Sequence, residues 1–435
     1  MPDVPTSPSP LEMPQLQQSV PHSSGMTQPQ QPVSHPSGMT QPQQPDRYPP
    51  AMTQPARSGP SPSEARAVPA GSAEPGETEP SPPFFSIVMP CYLVEAYIKA
   101  ALDCIQAQAF ADWELIVVDD CSPDGSIGIA EGYAQGDARI RIVRHSVNRG
   151  LAAARNTGIA EARGSYVWFT DPDDTYEATL LEDAYGSLRR NPARAVLFGQ
   201  CLEFFNEEGR FLYEQAMCLK PQTYRCAADL RPAILALEQG THYGYATNKV
   251  YDLAYLKNKA ISFKDLALIE DILFNIEFFQ DADSLNVLGT TPYRYAKRLG
   301  KNLTNAYRAD YFELHRLRIE RLMQQQESWG VLTDDARALL GGLFARYILS
   351  ALERNASPES GMDGAKRRAW CKNLFTDPLF GKLIPYARAS HSTSLALCIG
   401  ILRSRNAFAS TTLGGFIHFM RSRFFSLFSR FRAGR

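Results

Sequence analysis

The chain has 435 residues, a formal net charge of −1 and 44% hydrophobic residues, enough for one or two buried cores at roughly 100 to 200 residues per domain. Near-neutral charge argues against a nucleic-acid binder, and no apolar run reaches the ~18 residues a spanning helix needs. The eight cysteines are scattered with no CxxC pair, which suits buried thiols better than zinc or a disulfide framework.

Residues 1–83 are dominated by Pro, Gln, Ser and Gly, with little aliphatic surface to offset the entropy of ordering. A disordered arm is expected there. It holds a degenerate repeat, "GMTQPQQP" at 25–32 and 38–45 and "AMTQP" at 51–55, too short and polar for a solenoid core and read as a tether or interaction tail. The start lacks the basic and apolar regions of a signal peptide, so the catalytic part is expected in the cytoplasm.

From Phe84 the texture changes. "FFSIVMPCY" reads as a buried strand, "AYIKAALDCIQAQAF" has helical spacing, and "WELIVVDDCSPDGS" is a second strand ending in acids and turn residues. A helix follows at Ser126–Gln135, then the strand "IRIVRH", the helix "LAAARNTGIAEA" and the strand "SYVWFT". This alternation implies an α/β domain with a mostly parallel sheet covered on both faces. Ligands of such sheets sit beyond the carboxyl ends of the strands, and the acids fall there: Asp119 and Asp120 after the second strand, Asp171, Asp173 and Asp174 in "WFTDPDD" after the fourth.

Three clustered carboxylates repel one another unless a cation or hydrogen-bond donors offset them. Mg²⁺ or Mn²⁺ is commonly held by one or two carboxylates plus substrate phosphates, so an Asp-x-Asp turn is chemically sufficient for a metal and a nucleotide diphosphate. The competing structural readings are a turn cap for Asp119 and Asp120, and a helix cap for one of the later acids. Further on, "RAVLFGQCLEFF" reads as a strand and "EDILFNIEFFQ" as a helix.

Taken in order, "SIVMPCY", "VVDDCSPDGS", "NRGLAAARNTGIAEARGSYVWFTDPDD", "NKVYDLAYLKNKAISF" and "LIEDILFN" resemble the successive signatures of family 2 glycosyltransferases. The resemblance covers about 84 to 300 and implies the A-type (GT-A) glycosyltransferase fold. It implies that Pro90 and Tyr92 line the nucleotide pocket, that Asp120 accepts from a uracil N–H with Asp119 supporting the turn, and that Arg155 approaches the diphosphate. It further puts Asp171 near the ribose, Asp173 on a Mn²⁺ or Mg²⁺ ion, and Asp271 in the role of general base with Glu270 beside it. Without the resemblance, Arg155 reads as a solvated helical arginine, and Glu270 and Asp271 as charge complementing a helix N-terminus. Either Arg294 or Arg298, in "YRYAKRLGKNLTN", matches the family's phosphate-side arginine. His145, His242 and His315 fit no metal or triad spacing and read as packing or surface residues.

The expected organisation is a catalytic domain at 84–304, a helical appendage at 305–390, and a tail at 391–435. After Asp377 no acidic residue occurs, and Leu413, Phe416, Ile417, Met420, Phe424, Leu427, Phe428 and Phe431 follow helical spacing among arginines, with Phe419 and Phe425 off the stripe. Such a helix suits the surface of an anionic membrane, or else a core or dimer contact. The functional expectation is an inverting transfer of a sugar from a nucleotide diphosphate donor, UDP-linked, to a saccharide or lipid-linked saccharide acceptor in envelope or extracellular polysaccharide synthesis, on the inner face of the membrane. The rivals are a sugar-phosphate nucleotidyltransferase and a non-catalytic nucleotide-sugar-binding scaffold.

Overall fold

The computed structural model describes residues 81–266, 268–298, 307–389 and 392–423. Residues 1–80 of the Pro-rich arm and the tail residues Phe424, Phe425, Leu427, Phe428 and Phe431 lie outside them.

The chain enters through β1 (Phe85–Cys91), α1 (Ile98–Gln106), β2 (Trp113–Asp119), α2 (Ser126–Gly136), β3 (Ile140–Arg144), α3 (Leu151–Glu161) and β4 (Tyr166–Phe169). The four strands pair in parallel in the order β3-β2-β1-β4. All seven residues of β1 and of β2 are buried, which explains why both are continuous apolar runs. Successive side chains leave a strand on opposite faces, so Val88, Ile116 and Val118 enter one core while Ile87, Met89, Leu115 and Val117 enter the other.

Next come β5 (Thr175–Tyr176), α4 (Leu180–Arg190), β6 (Ala195–Leu197), β7 (Gln200–Phe205), β8 (Phe211–Met217), β9 (Gln222–Tyr224), α5 (Ala227–Gln239), β10 (Lys249–Asp252), α6 (Leu253–Asn258), α7 (Glu270–Phe279), β11 (Leu285–Val287) and β12 (Tyr293–Arg298). The large sheet continues from β4 through β10, β6 and β11 to β9, with β10 antiparallel to both neighbours. A second sheet has the order β5-β12-β7-β8.

The single strand expected over 194–205 is therefore two strands in two sheets. The break falls at Gly199, where a Cβ would stand 2.6 Å from the Met217 carbonyl oxygen and 3.0 Å from that of Thr290. Only a residue without a side chain lets the chain cross between sheets here.

The last elements are α8 (Tyr311–Ser328), α9 (Asp334–Ala356), a 3₁₀ turn (Pro358–Ser360), α10 (Gly364–Thr376), α11 (Pro378–Leu383), α12 (Thr393–Arg403) and α13 (Ala407–Arg423). Side-chain oxygens start several of them: Thr333 accepts from the Ala336 amide and Asp363 from that of Lys366. One apolar core runs from Val88 and Phe169 through Phe274 to Phe344 and Leu402, so these helices pack onto the sheet's own core.

Helix α13 lies close against α9. A Cβ on Gly414 would meet the Leu352 carbonyl oxygen at 2.6 Å, and buried Glu353 accepts from Arg421 at 2.8 Å and pairs with His418 at 3.1 Å. The expected apolar stripe divides. Leu413, Ile417 and Met420 are half-buried, while Phe408, Phe416 and Phe419 are exposed on the other side. Phe419, expected off the stripe, thus belongs to the outward face, because the seat on α9 rather than the apolar periodicity sets the helix rotation.

Candidate active site

The first acidic corner closes β2. The Asp120 carboxylate accepts from the amides of Arg149 (2.8 Å) and Gly150 (2.7 Å) and meets His145 Nδ1 at 2.7 Å. His145 Nε2 in turn lies 2.9 Å from Thr157 Oγ1, and Gly150 takes φ 84°, a left-handed conformation that suits glycine, at the head of α3. Asp120 therefore ties the β3–α3 connection to the end of β2. The His145 side chain is packed into this corner between Asp120 and Thr157, a structural role in keeping with its reading as a packing residue. Asp119 accepts from the Ser122 amide at 2.8 Å. Pro90 is buried in β1, opposite Val118, while Tyr92 is exposed beside the corner.

The second corner closes β4 and differs in kind. Arg155, on α3 and only 2% exposed, donates to Asp271 Oδ1 at 2.5 Å and to Asp171 Oδ1 at 3.0 Å. Asp271 Oδ2 accepts from the Ala246 amide at 2.9 Å. One buried guanidinium thus joins the end of β4 to the head of α7, residues 100 apart in sequence. The ring of Phe263 packs 5.1 Å from it.

Arg155 alone does not balance Asp171, Asp271 and Glu270 around it. Burial pushes the Asp171 carboxyl up, Arg155 pulls it back, and Asp173 and Asp271 push it up again. Burial, then the charge of Asp271, raises Glu270 to about 7. Its Oε2 is buried without a hydrogen-bond partner among the described residues. Asp174 is raised well above the ordinary carboxyl range by burial and by Asp173 and Asp171; its oxygens accept from the Tyr293 hydroxyl (2.6 Å) and the Ala296 amide (2.8 Å).

Asp173 is the more exposed acid of this turn and pairs with Arg298 at 2.9 Å. Arg298 also donates to the Asp173 carbonyl at 3.0 Å and covers the Tyr97 ring at 4.0 Å. Of the two candidate arginines it is the one at the site. Arg294 is drawn away by Glu177, Glu203 and Glu214. Among the described residues no group of three or more His, Cys, Asp or Glu side chains is arranged to hold a metal. A single half-exposed carboxylate in Asp173 still matches a cation held chiefly by the phosphates of a ligand.

Two further residues escaped the sequence reading. Lys249, wholly buried in β10, has its three N–H groups within hydrogen-bond distance of four acceptors, the carbonyl oxygens of His242 (2.9 Å), Tyr243 (3.1 Å) and Tyr245 (2.6 Å) and Asn248 Oδ1 (2.8 Å). Burial pushes its ammonium down to about 7 against the opposing pull of Asp271 and Glu238. It shapes the 242–246 segment whose last amide holds Asp271. Asn275 braces the same segment, donating to the carbonyls of Tyr245 (3.1 Å) and Asp271 (2.9 Å). The "NKVYD" string was a signal for Lys249, since a lysine inside an apolar strand needs acceptors waiting for it.

Residues 86–256 match the model of Glycosyl transferase family 2. The chain is 31% identical over 218 residues to the uncharacterized glycosyltransferase EpsJ of Bacillus subtilis, covering 49% of this chain and 61% of that one. It is 29% identical over 240 residues to the poly(ribitol-phosphate) beta-N-acetylglucosaminyltransferase TarS of Staphylococcus aureus, covering 54% and 39%. The chain thus spans between about two fifths and three fifths of the length of these relatives. Its structure is similar to S. aureus TarS 1–349 in complex with UDP-GlcNAc, with a TM-score of 0.51 and 22% identity over 76% of this chain and 90% of that one. The fold is the GT-A fold.

Proposed function

We propose that this chain, which belongs over residues 86–256 to glycosyl transferase family 2, transfers a sugar with inversion from a UDP-linked donor to a saccharide hydroxyl in the synthesis of an envelope or extracellular polysaccharide. The observation that carries the reading is the Arg155 bridge, which holds a donor-side carboxylate, Asp171, and an acceptor-side carboxylate, Asp271, on one guanidinium.

In this reading Pro90, Tyr92, Asp119 and Asp120 form the base end of the donor pocket. Asp120 acts mainly by fixing the backbone around it, and its Oδ2 keeps acceptor capacity for a ring N–H beside the Gly150 amide bond. Asp171 and Arg155 flank the ribose and diphosphate. Asp271 takes the proton of the attacking hydroxyl, with the Ala246 amide fixing the orientation of its carboxylate and Glu270 next to it. Bond formation at the anomeric carbon and departure of UDP then occur in one displacement without a covalent enzyme intermediate. Asp173 would hold a Mn²⁺ or Mg²⁺ ion, which supplies charge compensation for the departing diphosphate. For that, Arg298 must give up its bond to Asp173 Oδ2 and becomes available to a phosphate oxygen.

The test is UDP release by the full chain from a panel of UDP-sugars, with and without chelator. Transfer that survives the chelator removes the metal from the reading, and full activity in Asp271→Asn removes the base. Detection of nucleotidyl transfer instead would favour the rival enzyme class, and UDP binding without turnover the scaffold.

No described helix is long and apolar enough to cross a membrane. The outward face of α13 supports peripheral attachment instead. Phe408 and Phe416 are 69% and 60% exposed, and arginines but no acids occur after Asp377. Cosedimentation with phosphatidylglycerol vesicles should fall in a Phe408→Ser, Phe416→Ser double variant; unchanged cosedimentation would count against attachment there.

A further inference from the structure

The small sheet presents an aromatic track that begins at the candidate base and ends at the surface. Tyr245 immediately precedes Ala246, whose amide holds Asp271. Its ring lies 5.9 Å from that of Tyr295 on β12. Lys297, two residues on and therefore on the same face of β12, has its ammonium 5.7 Å from the Tyr295 ring and 5.7 Å from that of Phe204 on β7. Phe204 stacks at 4.4 Å on Tyr213 of β8, which is 48% exposed. The opposite face of the same strands is closed by Arg294 with Glu203 and Glu214.

Exposed aromatic rings on an edge hairpin are costly unless something covers them. Across the paired residues Glu203–Phe204 and Tyr213–Glu214 the strands turn one face to ion pairs and the other to rings, while Phe205 and Phe211 meet at 5.9 Å at the far end of the hairpin. That division is what a ligand with flat apolar faces and a rim of hydroxyls would need: its C–H faces lie on the rings and its hydroxyls reach the ammonium.

We propose that Tyr245, Tyr295, Lys297, Phe204 and Tyr213 form an extended acceptor subsite that binds a chain of pyranose sugars, with its attacking end at Asp271 and its remote units on Tyr213. The inference rests on the glycosyl-transfer reading and specifies which substrate that reading takes. It predicts that ring sugars are held and that an open-chain polyol is not, since a polyol has no flat C–H face to lay on Tyr213.

The experiment uses the full chain, UDP, the β-linked pyranose trisaccharide cellotriose, and ribitol, with binding followed by saturation-transfer NMR and calorimetry. Cellotriose should bind and ribitol should not. Tyr213→Ala should weaken cellotriose about tenfold, the loss of one ring contact, with UDP affinity unchanged. Tyr213→Leu, which keeps apolar area but no ring, should weaken it similarly. Leu212→Ser, at the bulge next to Tyr213, should leave both ligands unaffected. UDP binding without cellotriose binding, or cellotriose binding indifferent to Tyr213→Ala, overturns the subsite and leaves the donor reading standing. Failure of UDP to bind while cellotriose binds normally overturns the donor reading alone. A concentration-dependent dimer lost in Tyr213→Ala, with saccharide affinity intact, would give this face to a second copy of the chain.

Discussion

The two acidic corners sit at the ends of parallel strands in one sheet, yet their carboxylates are treated differently. Asp120 has a backbone amide on each oxygen and an imidazole besides, drawn from residues 25 to 30 positions away. Asp174 is buried and Asp171 and Glu270 are half-buried, and burial first, then neighbouring carboxylates, pushes each toward protonation. A satisfied acid organises backbone, whereas an unbalanced group of acids stores repulsion that an arriving cation or proton relieves. In the proposed reading, the difference separates the corner that shapes the donor pocket from the corner that carries the chemistry.

On that contrast, removing the proposed base at the second corner should affect turnover, while the shared cation and the raised carboxyl beside it, like the amide-bound acid of the first corner, should show in stability. The largest effect is expected for Asp271→Asn, which should lower kcat by roughly 10²- to 10⁴-fold, the usual contribution of a positioned base, with donor KM little changed. A stopped assay of UDP release measures it.

Arg155→Met removes the cation shared by two carboxylates. Breaking a buried pair on one side costs about 3–5 kcal/mol, so denaturant unfolding should show a loss of that order at neutral pH. Because the Asp171 carboxyl, already raised by burial, can then be neutralised by a proton, the loss should shrink as pH falls.

At the first corner, Asp120→Asn puts an amide group against the Arg149 or Gly150 N–H. The expected cost is about 1–3 kcal/mol, read as a lower melting temperature.

The smallest effect is that of Glu270→Gln, and its sign is the informative part. Glu270 is raised in the fold from 4.5 to about 7, so its protonated form contributes stability below about pH 4.5 that is lost as pH rises through about 7. The Gln variant should melt above the wild type at pH 8, by roughly 1–2 kcal/mol, and lose that advantage at pH 4. An equal shift at both pH values would mean that the carboxylate is already relieved in the resting protein.

The parallel half of the sheet was legible because β1 and β2 are buried on both faces and the four strands alternate with helices, leaving the acids at strand ends by construction. The conversion of "RAVLFGQCLEFF" into two strands was not, because the need for Gly199 arises from Met217 and Thr290, which the sequence does not bring near it. Arg155 had only the family resemblance behind it. Nothing local to "AAARNTG" distinguishes a solvated arginine from one that spans 116 residues to Asp271. His145 could be read only as a packing or surface residue for a similar reason, since its partners Asp120 and Thr157 come from other elements. What the sequence did carry was the residue types, and what it lacked was the geometry that matches a donor to each acceptor.

Gly414 leaves α13 with no spacer between its axis and the Leu352 carbonyl. The rotation of that helix is thus keyed by an omitted methyl, with Glu353 as the latch for His418 and Arg421. Gly414→Ala would act as a wedge, rolling the rod about its length and redirecting Phe408 and Phe416 without altering either of them. The aim of an entire aromatic face is therefore encoded at a position that contributes no side chain to it.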